Sequence, residues 1–113
     1  MQLRRGEVIR VNLNPTQGRE QMGDALSCLV LSQMSFNAAR GGLVIVSPIA
    51  STVRPEIKTL IPIPEGFRVS GSVIAEQIRT IDLSQRWWRS MDEHLPSAVV
   101  DQVVATLNLI IGS

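Results

Sequence analysis

Apolar and polar positions alternate along Gly6–Leu13, GEVIRVNL, where Arg10 and Asn12 interrupt Val8, Val11 and Leu13. A period of two predicts a strand with one buried face. Leu26–Ser32 is almost continuously apolar, which suits a more deeply buried strand. Gln33–Arg40 reads as a short helix or turn ended by Gly41-Gly42. Leu43–Ser47, LVIVS, is β-branched and predicts a central strand closed by Pro48. Ile49–Pro55 is irregular. Ile57–Ile63 reads as a strand that Pro62 and Pro64 confine to an edge or a strand end. After a turn around Gly66, Gly71–Gln77 forms the next strand, and Arg79–Leu83 continues it past a bend. Ser84–Met91 is expected as a short helix.

The clearest element is the last. Val99, Val103, Leu107 and Ile110 recur at helical spacing, as do Val100, Val104 and Ile111. Pro96 suits the first turn and Gly112 a C-terminal stop. Short strands, polar loops and a terminal amphipathic helix predict a mainly β fold with added α: a small, strongly bent antiparallel sheet or barrel with helices packed on it. A parallel βαβ arrangement is disfavoured, because the connections are too short for crossover helices.

At 113 residues and 44% hydrophobic, the chain reads as one domain, 1–113, with a core that needs no disulfide. Its net charge of +1 sets up no global field for nucleic acid or membrane, so anion binding must come from local arginine placement. One cysteine, Cys28, and one histidine, His94, fall short of an ordinary zinc site; no metal or cofactor is expected. The lone cysteine suits a reduced, cytoplasmic setting. The start, MQLRRGEVIRV, lacks the apolar region of a signal peptide, and no run reaches the ~20 apolar residues of a membrane span.

Candidate chemistry concentrates in three polar segments. Asn12–Ser32 leaves one strand and enters another through a loop rich in Pro and Gly, with Arg19, Glu20 and Gln21 at its centre. These three can bind a phosphate, supply a base or hydrogen-bond a nucleobase, or they form a solvated turn. Met22 is expected to close this loop against the core. Ser51, Thr52 and Arg54 offer hydroxyls and a cation, or a plain turn. Glu76, Gln77 and Arg79 end an apolar strand, where alternation sets Glu76 and Ile78 on one face and Gln77 and Arg79 on the other. Trp87-Trp88, between Arg86 and Arg89, suits base stacking or, more ordinarily, one buried and one interfacial ring. His94 reads as a surface residue. RNA cleavage would need little more than these groups. The ribose 2′-hydroxyl is its own nucleophile, so a base for its proton and cations for the phosphate suffice.

The segments RGEVIRVNLNPTQGREQMGD, CLVLS, Phe36-Asn37, LVIVSPI and GSVIAEQIRTIDL, with the closing apolar helix, resemble the PemK/MazF family of toxin endoribonucleases from type II toxin–antitoxin systems. The resemblance spans nearly the whole chain. It implies a small SH3-like barrel, a homodimer, and metal-independent, sequence-selective cleavage of single-stranded mRNA that inhibits growth. It implies a cognate antitoxin whose disordered tail fills the RNA groove, and promoter DNA binding only as the toxin–antitoxin complex.

The resemblance assigns catalytic roles to Arg19, Glu20, Ser51 and Glu76, and RNA contacts to Arg19, Gln21, Thr52, Arg54, Gln77 and Arg79. It also exposes departures. The Arg-Pro pair before the second strand is replaced by Leu26-Ser27, and the catalytic Thr position falls on Ala50. In the PemK branch an Arg-x-Asp stands where this chain has Ile74-Ala75-Glu76. Leucine neither donates hydrogen bonds nor neutralises phosphate. The chain is thus expected to be an attenuated endoribonuclease, or else a catalytically dead module that binds antitoxin and aids promoter autoregulation. In either case the polar segments are expected to share one groove.

Overall fold

The structure, a computed structural model, describes residues 3–13 and 25–112. Strands β1 (Glu7–Asn12), β2 (Ala25–Val30), β3 (Leu43–Ala50), β4 (Leu60–Pro62), β5 (Ser72–Ile74), β6 (Arg79–Asp82) and β7 (Trp88–His94) join in one antiparallel sheet. Their order is β4-β5-β3-β2-β1-β7, with β6 also paired to β3. Helix α1 (Met34–Ala39) links β2 to β3, and α2 (Ser97–Ile111) ends the chain. The expected mainly β fold with a C-terminal helix is what forms.

β3 bends the sheet. Its first half pairs with β6, Leu43 opposite Asp82 through Val46 opposite Arg79, and its end pairs with β5, Ile49 opposite Val73 and Ala50 opposite Ser72. Pro48 was expected to close this strand, yet the strand runs on to Ala50. Pro48 lies between the stretch taken by β6 and the stretch taken by β5, so its missing N–H falls where that side of the ladder changes partner.

Four further expectations are corrected. β1 is buried on both faces: Val8 joins one core, with Leu29, Ile61, Val73 and the α2 residues Val99, Val103 and Leu107, while Ile9 and Val11 join another, with Cys28, Val30, Val44 and Ile81. The strand expected over Ile57–Ile63 contracts to Leu60–Pro62, at the sheet edge where proline is tolerated. Ala75–Gln77 is a 3-10 turn, so strand alternation does not govern Glu76 and Gln77. Ser84–Met91 is no helix: after a 3-10 turn at Leu83–Gln85 the chain extends as β7 along β1, because pairing with an open sheet edge outweighs weak local helix preference.

In α2, Val99, Val100, Val103 and Leu107 are buried as the spacing predicts, but the last turn overshoots the core. Leu109 and Ile111 are 85% and 76% exposed. No helix among the described residues is long and apolar enough to cross a membrane. Asn37, buried at the base of α1, donates to the carbonyls of Leu3 (2.8 Å) and Ser32 (3.3 Å) and accepts from the Ser32 hydroxyl. It thereby ties the chain start to the β2 exit.

Cys28 is fully enclosed, and burial pushes its thiol from 9.0 up to about 12, against a small opposing pull from Arg79. The unfolded chain gives up this proton at lower pH than the folded one. Stability is therefore undiminished below about pH 9 and falls between about pH 9 and 12, by at most ~1.4 kcal/mol per pH unit. Urea unfolding across this range checks it: Cys28→Ala should remove this share of the alkaline loss.

Candidate functional site

Two grooves flank the end of β3. The first, about 310 Å³, is lined by Arg10, Ala25, Leu26, Ser27, Ile49 and Ser51, and by Arg68, Val69, Ser70 and Met91 from the β4–β5 loop and β7. The second, about 360 Å³, is lined by Ala50, Thr52, Arg54, Ile57, Leu60, Ile74, Glu76 and Gln77. The alternation of extended chain divides them: Ile49 and Ser51 turn to the first, Ala50 and Thr52 to the second. The exposed segment 51–54 forms the rim between the two.

The residues expected to share one groove are thus distributed over two hollows that adjoin along the segment 50–52. Ser51 lies with Leu26, whereas Glu76 and Gln77 lie with Ala50, Thr52 and Arg54. Arg79 lines neither; it is exposed on β6, where its charge acts on Cys28 and Arg86. Arg19, Glu20, Gln21 and Met22 lie outside the described residues. The root of their loop is held by Arg86, whose guanidinium donates to the carbonyls of Asn12 and Leu13 (both 3.2 Å). Burial, and then the charge of Arg79, lower the pKa of Arg86, partly offset by Asp82.

The first groove holds residues that the motif reading passed over. Arg10 donates to the Ala25 carbonyl at 2.8 Å, and Arg68 donates to the Met91 carbonyl at 2.9 Å. The Arg68 loop is pinned by Glu93, whose carboxylate accepts from the backbone N–H of Arg68 (2.6 Å) and Val69 (3.2 Å). The only sequence signal for Arg10 is a cation interrupting an otherwise apolar strand. Arg10 also faces Arg89 across the β1–β7 ladder. Directly opposed like charges are destabilising, by up to ~1 kcal/mol. Trp88 packs on the second core, Trp87 is half-buried, and His94 is exposed with its Nε2 2.9 Å from the Arg5 carbonyl. Among the described residues no group of His, Cys, Asp or Glu side chains is arranged to hold a metal ion.

Residues 4–111 match the family described as the PemK-like, MazF-like toxin of type II toxin–antitoxin systems. The chain belongs to this family. It is 30% identical over 112 residues to the endoribonuclease PemK of Escherichia coli, covering 96% of this chain and 82% of that one. The fold is similar to that of a MazF from Deinococcus radiodurans, with TM-score 0.83, 26% identity, and coverage of 100% of this chain and 99% of that one. It is also similar to a chain of a MazE–MazF complex from the same organism, with TM-score 0.81, 22% identity and coverage of 99% and 97%. The two residues expected to depart from the family pattern can be placed in the fold. Leu26 borders the first groove, 47% exposed, and Ala50 borders the second.

Proposed function

We propose that this PemK/MazF-family chain is the toxin of a type II toxin–antitoxin pair, an endoribonuclease of single-stranded mRNA whose cleavage step is attenuated. The observation that carries this is the groove lined by Arg10, Arg68, Ser27 and Ser51, and the attenuation rests on Leu26 at its border, where an aliphatic side chain serves no core. RNA crosses the rim at Ser51–Arg54 and touches both grooves. A 2′-hydroxyl attacks the adjacent phosphorus to form a 2′,3′-cyclic phosphate, and the bond to the 5′-oxygen of the next nucleotide breaks, that oxygen leaving as a hydroxyl with a proton from water. A carboxylate, Glu20 or Glu76, takes the hydroxyl proton, while Arg19 and Ser51 bear on the phosphate. Gln21, Thr52, Arg54 and Gln77 contact the RNA, while Arg79, outside both grooves, does not. The reaction uses no metal and no cofactor.

The partners are a second copy, giving a homodimer, and a cognate antitoxin, for which the related MazE–MazF assembly is the support. The apolar last turn of α2 is surface that such partners can cover. Promoter DNA is bound only with the antitoxin, and the protein works in the cytoplasm.

Leu26 and Ala50 favour the second reading, a catalytically dead module that keeps antitoxin binding and promoter autoregulation, whereas the retained Glu76 and Gln77 favour the first. Long single-stranded RNA incubated with the purified protein in EDTA separates the two. A ladder of discrete cuts is the expected result; intact RNA together with antitoxin binding decides for the module.

A further inference from the structure

We infer that Arg10, Arg68 and Arg89 form one cationic track that holds the phosphodiester backbone of RNA. This rests on the RNA reading above and deepens it.

Three observations meet here. The first groove and a neighbouring hollow of about 240 Å³, lined by Arg68, Arg89, Ser90, Met91 and Asp92, share Arg68 and Met91, so they adjoin. Across β2, β1 and β7, Ser27, Arg10 and Arg89 stand in one register row, with neighbouring strands about 4.8 Å apart. Cross-strand partners share a face, so the row presents a hydroxyl and two guanidinium groups side by side. Among the described residues that line the two hollows, three arginines stand against one carboxylate, that of Asp92, while Glu93 is engaged by the backbone of Arg68 and Val69.

Folding does not call for Arg10 opposite Arg89, since the pair repels. An anion laid over the row turns that repulsion into attraction. The hydroxyls of Ser27, Ser51 and Ser70 line the first groove as further donors. Guanidinium forks match phosphate oxygens two at a time, and the carbonyl bonds of Arg10 and Arg68 fix the direction of each fork beforehand.

The test is fluorescence anisotropy with a short fluorescein-labelled oligouridine in EDTA, over a series of sodium chloride concentrations. Arg10→Gln, Arg68→Gln and Arg89→Gln should each weaken binding about tenfold. Each should also lower the slope of log affinity against log salt by ~0.7, one phosphate contact. The corresponding lysine variants should keep the slope and lose part of the affinity. Arg40→Gln, which removes an equal charge from the end of α1 over the Phe36 ring, should leave both unchanged.

Glutamine variants that match a parent able to bind RNA overturn the track and leave the RNA reading standing. A parent that binds no oligouridine overturns the track, and the RNA reading falls with it only if long single-stranded RNA is also neither bound nor cut. Arginine-dependent binding of an aspartate-rich peptide in place of RNA overturns the track in favour of an acidic protein partner.

Discussion

Leu26→Arg combined with Ala50→Thr will raise the rate of single-stranded RNA cleavage by about 10²–10³-fold for each transition-state contact restored. The charge that builds on phosphorus during 2′-hydroxyl attack needs a fixed donor, and leucine offers none. Both positions can accept the change. Leu26 is half exposed at the border of the first groove, and Ala50 is partly exposed at the border of the second, so neither larger side chain must enter the core. Ser27 is best left alone, because proline inside β2 would remove a backbone donor. Initial rates on a long RNA in EDTA give the measurement, and growth arrest on induction should follow it. The single variants matter as well, since the two residues serve different grooves. If they act on one phosphate, their gains will exceed the sum expected of independent sites. A double variant no faster than its parent would remove the attenuation argument.

Gly71→Ala will destabilise the protein by about 3–5 kcal/mol, combining the left-handed backbone penalty with forced overpacking. Gly71 has φ +106°, and a Cβ there would fall 1.9 Å from the Ala50 carbonyl oxygen and 2.7 Å from the Ser51 Cα. These are backbone atoms, which cannot swing away as a side chain would. The loss is a large share of an ordinary domain's stability, so a fall in melting temperature of more than about 10 °C is expected. Gly66→Ala separates the two causes. Its φ of +104° is nearly the same, but no atom lies within 4 Å of the added carbon. Gly66→Ala should therefore cost only ~1–2 kcal/mol. Equal losses at the two glycines would show that the close approach to Ala50 is not what counts. The contact matters to function because it sets the rim where Ala50 and Ser51 turn to opposite grooves.

Much of this architecture was legible in the chain. The period of two in Gly6–Leu13, the β-branched run at Leu43–Ser47 and the helical spacing from Val99 to Leu107 each report a local preference with a buried face. The motif segments likewise pointed to the PemK/MazF family from residue identity alone. Less legible was whatever depends on a partner distant in sequence. Trp88–His94 has no strong strand pattern and became β7 because β1 had an open edge to pair. Pro48 looked like a stop and was tolerated because the neighbouring strand changes at that point.

The candidate site divides in the same way. Side-chain identity named Ser51, Thr52, Arg54, Glu76 and Gln77, and it flagged the absence of arginine at position 26 and threonine at position 50. Only the tertiary structure separated these residues between two grooves, set Arg79 apart, and brought in Arg10, Arg68 and Arg89. The reason is that spacing along a chain encodes which neighbours can share a face within one element. The 3-10 turn at Ala75–Gln77, the bend of β3 and the pairing of Arg10 with Arg89 are settled by contacts between distant segments, and no window of sequence contains both sides of those contacts.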